Sequence, residues 1–96
     1  MTVKLKKWNI QDHLKTEEER QAYLEAALEE ASDDPLYIAH VLGDIAKSYG
    51  MTKLAQETGL TREGLYKSFG KQGNPSFVTV SKVAGAMGLK LTFEHA

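Results

Sequence analysis

Ninety-six residues, 42% apolar and 26% charged, suffice for one modest hydrophobic core and leave no room for a second domain. Cysteine is absent, which excludes disulfides, thiolate metal sites and cysteine nucleophiles, and no apolar run approaches the roughly 20 residues that span a bilayer. The net charge of −1 conceals a division: residues 1–46 carry five Lys/Arg against ten Asp/Glu, whereas residues 47–96 carry seven against three.

Residues 3–10 place Val3, Leu5, Trp8 and Ile10 among lysines, the pattern of a short strand or an extended arm. The same opening has no apolar h-region behind it, so a cytoplasmic protein without a secretory signal is expected. Thr16 and Glu19 form a capping box. Glu17 to Glu19 suit the positive end of the helix that follows, which is expected to reach about Ala31 with Leu24, Ala27, Leu28 and Ala31 along one face. Asp34 and Pro35 restart the chain as a second helix, the first as a cap and the second in the opening turn. Ile38, Leu42, Ile45 and Tyr49 give that helix its apolar stripe, and Gly50 ends it.

Residues 52–69 read as two short helices joined at a tight turn. Leu54 and Ala55 lie on the inner side of the first, where the small Ala55 permits a close crossing. Gly59 falls where the turn needs a positive φ, Leu60 plugs the corner, and Thr61 is a good N-cap. Leu65 and Phe69, four apart, face inward and leave Arg62, Glu63, Tyr66 and Lys67 outward. This is the layout of a helix-turn-helix, whose second helix can lie in the DNA major groove. Gly70 to Pro75 is a loop, and a further helix from Phe77 to Met87 is expected to turn Phe77, Val80, Ala84 and Met87 to one side. Gly88 stops it. Leu89 to Glu94 alternates apolar and polar residues as a half-buried strand does, and one strand needs a partner.

The chemistry expected of the exposed groups follows from type and position. Arg62, at the start of the second motif helix, can hold guanine O6 and N7 bidentately, or instead pair with Glu63 at the surface. Glu63 suits cytosine N4 or a solvated helix start. Tyr66 reaches a thymine methyl or a phosphate, or partly covers the core. Lys53, Lys67 and Lys71 are phosphate candidates, as are Thr52 and Thr61 through hydroxyls and helix-start amides. Gln72 and Asn74 follow in the loop. His13, His40 and His95 lack metal-pair spacing and no catalytic fingerprint occurs. The expectation is a non-enzyme with no cofactor and no metal site.

Leu54-Ala55, Thr58-Gly59-Leu60, Thr61-Arg62-Glu63 and Leu65-Tyr66-Lys67 resemble an Xre-type (lambda-repressor-like) helix-turn-helix. More specifically, Gly50-Met51, the run Arg62 to Lys67, Gly73-Asn74-Pro75 and Leu89-Lys90-Leu91 resemble the HigA-like antitoxins, the addiction-module antidote proteins. Tyr23-Leu24 and Ala27-Leu28-Glu29-Glu30 are similar too, so most of the chain is covered. The resemblance implies a dimeric antitoxin that binds double-stranded operator DNA, represses its own operon and neutralises a small RelE/ParE-like toxin. One departure matters: many Xre proteins place glutamine where Thr52-Lys53 and Arg62-Glu63 stand here, so base preferences do not carry over.

The expected fold is therefore mainly α, with about five helices, a short C-terminal strand and an N-terminal strand or arm. Residues 1–34, an arm and an acidic helix, belong to the same domain as the helix-turn-helix region of residues 35–96. Residues Met87 to Phe93 are expected in the homodimer contact, and residues 1–31 against the toxin. The rival functions are a stand-alone prophage-type repressor, or an interaction module that no longer binds DNA.

Overall fold

Capping chemistry divides the chain into its elements. The computed structural model describes residues 9–95. Asn9 caps a single 3-10 turn over Ile10–His13, so Ile10 begins a turn; the rest of the expected N-terminal strand or arm lies outside the described residues. Helix α1 spans Glu17–Ala31. The Thr16 hydroxyl accepts from the Glu19 amide at 3.1 Å, and the Glu19 carboxylate accepts from the Thr16 and Lys15 amides at 2.9 and 3.0 Å. Desolvation pushes the Glu19 carboxyl upward, but these amides, the Thr16 hydroxyl and the charge of His13 together hold it below the usual carboxylate value.

Helix α2, Pro35–Tyr49, starts where the Asp34 carboxylate accepts from the Tyr37 amide at 3.1 Å with Pro35 in the first turn. It is the central element, packing against α1, against α3 (Met51–Thr58), against α5 (Phe77–Ala86) and against the 3-10 turn. Val41, Leu42, Ile45 and Ala46 of α2 are buried, and Ala27, Met51, Leu54, Leu65, Phe69, Val83 and Met87 complete the core around them. Helix α4, Arg62–Ser68, leans on α3. Among the described residues there are five α-helices, in agreement with the sequence reading.

Three details differ from expectation. On α1 the inward line is Tyr23, Leu24 and Ala27, while Leu28 is 44% exposed. The Tyr23 hydroxyl donates to the Asp44 carboxylate on α2 at 2.9 Å, and the small Ala27 one turn on permits close contact, so the expected Leu24 and Ala27 face inward together with Tyr23 in place of Leu28. Burial, with the hydrogen bond to Asp44 and its charge, raises the Tyr23 phenol well above its ordinary value. On α5 the inner residues are Val83 and Ala84, with Met87 buried just past the helix end. Val80 packs against the core as expected, whereas Phe77, at the first position of α5, is 64% exposed. Finally, Leu89 to Glu94 form no strand: among the described residues the segment has no ladder partner, and one strand alone is not stable.

Candidate nucleic-acid interface

The α3–α4 pair is fixed by local chemistry at every step of its turn. Leu54 of α3 is fully buried and Ala55 half-buried beside it. The Thr58 hydroxyl donates to the Leu54 carbonyl at 2.6 Å and accepts from the Leu60 amide at 3.2 Å, so one side chain ties the helix end to the corner. Gly59 takes φ 76° and ψ 5°, the left-handed region, and its amide bonds the Ala55 carbonyl at 3.0 Å. Leu60 packs against the core from the corner. Thr61 is extended and caps α4, its hydroxyl accepting from the Gly64 amide at 2.9 Å.

Gly64 has a local reason to be glycine. A Cβ there would stand 2.7 Å from the Thr61 hydroxyl oxygen, so a side chain and the cap compete for one place. The bond that orients the start of α4 therefore depends on a missing methyl group one turn away.

With Leu65 and Phe69 in the core, the opposite side of α4 faces solvent. Arg62, Glu63, Tyr66 and Lys67 are exposed there, Thr52 and Lys53 are exposed in the first turn of α3, and Thr61 and Lys71 are exposed at the two ends of α4. All eight residues singled out from sequence are thus accessible on α3, at the cap of α4, on α4 or in the loop after it. Two of the cations lie over aromatic rings. The Arg62 guanidinium lies over the Tyr66 ring, 5.2 Å from its centroid, and the Lys53 ammonium lies 4.5 Å from the centroid of Tyr49. Tyr66 is neither buried nor idle; it carries the arginine. Sequence reading missed this role and that of Tyr49; Arg62 and Tyr66 have the four-residue spacing that places side chains together on one helix, whereas Tyr49 and Lys53 lie on either side of the break at Gly50, the last residue of α2 and the first turn of α3. It also missed Thr58, whose signal was a hydroxyl one residue before the turn glycine.

A second charged surface lies on α1. Glu17, Glu18, Glu19, Glu25, Glu29 and Glu30 are all exposed. The described part of the molecule therefore presents an acidic helix in one half of the chain and exposed cations around α3 and α4 in the other. No described helix is long and apolar enough to cross a membrane.

Residues 4–95 match the model of a family described as probable addiction module antidote protein. The chain belongs to that family. A protein of Haemophilus influenzae (strain ATCC 51907 / DSM 11121 / KW20 / Rd), described as an uncharacterized protein, is 42% identical over 96 residues, covering 100% of this chain and 97% of that one. No solved structure matches. Membership in an antidote family implies a toxin as partner, and the match spans both the acidic α1 and the α3–α4 pair.

Proposed function

We propose that this antidote-family chain is a DNA-binding antitoxin: α3 and α4 act as an Xre-type, HigA-like helix-turn-helix on operator DNA, and the protein represses its own operon. It acts as a homodimer, with two copies of α4 roughly 34 Å apart on a palindromic site. The same protein neutralises a small RelE/ParE-like toxin by binding it, and α1 supplies the acidic surface for that contact. No catalysis is involved. The observation that carries the DNA reading is the outer side of α4, where Arg62, Tyr66 and Lys67 are exposed over a buried Leu65 and a capped first turn.

In this reading Arg62, steadied on Tyr66, reads base edges, while Lys53, Lys67 and Lys71 meet phosphates and set register. Titrating variants on operator and scrambled duplexes tests the assignment. Arg62→Ala is expected to lose discrimination worth about 1–3 kcal/mol. Lys67→Ala should weaken both duplexes alike and lower the salt slope by about one. An unchanged specificity ratio for Arg62→Ala would remove the base-reading role. Co-purification with the product of a short neighbouring reading frame tests the toxin half.

A further inference from the structure

The C-terminal segment leaves an apolar surface uncovered. Leu91 is 45% and Phe93 85% exposed, while Leu89, on the same side of the alternation, packs against the core. Phe93 borders a groove shared with Leu28, Leu36 and Phe77, which are themselves exposed. The Leu89 amide bonds the Ala84 carbonyl at 2.8 Å, and beyond it no backbone hydrogen bond joins residues 90–95 to the described chain. A run of alternating apolar and polar residues with unpaired backbone groups is a template for another strand.

The polar side of the segment says which strand. We propose that residues 89–95 pair antiparallel with the same residues of a second copy, the two-fold axis passing beside Thr92. In that register Lys90 lies opposite Glu94 of the other copy, and Glu94 opposite its Lys90. Thr92 faces Thr92, and Leu91 faces Phe93. Opposite charges, paired threonines and aromatic–aliphatic pairs are each favourable across strands. Neighbouring registers lose this. Centring on residue 91 sets Lys90 opposite threonine, and centring on residue 90 sets lysine opposite lysine. An odd shift puts the apolar side of one strand against the polar side of the other. The segment is thus self-complementary in one register, which also extends the apolar side of each strand beside the Leu28–Phe77 groove.

This inference rests on the dimeric part of the proposed function, but its test uses no DNA and no toxin. Charge reversals in the full-length protein read the register, with dimer dissociation followed by sedimentation equilibrium and helix content by circular dichroism. Lys90→Glu and Glu94→Lys should each weaken the dimer about tenfold, since each places two like-charge pairs across the axis. The double variant should restore it to within about twofold of wild type. Because the chain contains no cysteine, introduced thiols give an independent reading. Thr92→Cys should form a disulfide-linked dimer on mild oxidation, as directly opposed residues lie about 4.5–5.5 Å apart. Lys90→Cys and Glu94→Cys should not, being offset from their own copies by about 13 Å.

Dimers indifferent to both reversals, or linked as readily through residue 90 as through 92, would overturn the register while leaving dimerisation intact. A monomeric wild type would overturn the inference and the dimeric reading together.

Discussion

Thr61 and Gly64 are coupled through one oxygen atom. Glycine inside a helix ordinarily costs about 1 kcal/mol against alanine, so Gly64→Ala ought to stabilise α4. Here the new methyl group meets the Thr61 hydroxyl at 2.7 Å, and moving that hydroxyl gives up the cap, worth about 1 kcal/mol. The expected outcome is no gain for Gly64→Ala in the native background and a gain of about 1 kcal/mol once Thr61→Ala is present. Urea unfolding of the two single variants and the double variant checks this. Equal stabilisation in both backgrounds would mean that the cap does not explain the glycine. The cation–aromatic pairs belong to the same level. Tyr66→Leu keeps an apolar body beside Arg62 but removes the ring face, so it is expected to reduce base discrimination without removing a positive charge or altering the salt slope. Duplex titrations of that variant separate support of Arg62 from direct contact by Tyr66.

Among the helices, α1 is tied to its start by charge. The folded Glu19 carboxyl titrates below its ordinary value of 4.5. Its contribution is therefore complete above that value and is lost as the pH falls through the lower, folded one. Glu19→Gln should be less stable than wild type at pH 7, and the gap should narrow in acid below the ordinary value. Denaturant unfolding at neutral and acidic pH measures it, and a gap independent of pH would remove the charged capping box as a source of stability. The start of α1, the break at Asp34 and Pro35, and the turn at Gly59 and Thr61 are legible in sequence because each boundary is made by residues within a few positions of one another. The face that α1 turns inward is legible only in part. It keeps the expected Leu24 and Ala27 but is rotated toward Tyr23, which reaches Asp44 on α2, and away from Leu28, which the local spacing places inward. The outward set on α4 is legible for the converse reason, since burying Leu65 and Phe69 leaves Arg62, Glu63, Tyr66 and Lys67 no inward direction. Leu89 to Glu94 has a strand's alternation, but alternation cannot supply the second strand that a ladder requires.

Across the whole molecule, charge is divided as the two proposed partners require. The half carrying α1 has five Lys/Arg to ten Asp/Glu, and the half carrying α3 and α4 has seven to three, so a net charge of −1 does not argue against a phosphate-binding surface. Phosphate contacts release counterions, so affinity should fall steeply with salt, while discrimination between duplexes comes from base-edge contacts. Those two signatures distinguish a specific DNA binder from a scaffold that merely keeps the helix-turn-helix shape. The deciding measurement is a fluorescence-anisotropy titration of the wild-type protein against duplex from its own promoter region and a scrambled duplex, each at two salt concentrations. Tight, salt-sensitive binding with a preference of about a thousandfold is the expected result; weak binding with equal affinity for both duplexes would contradict DNA recognition by α4.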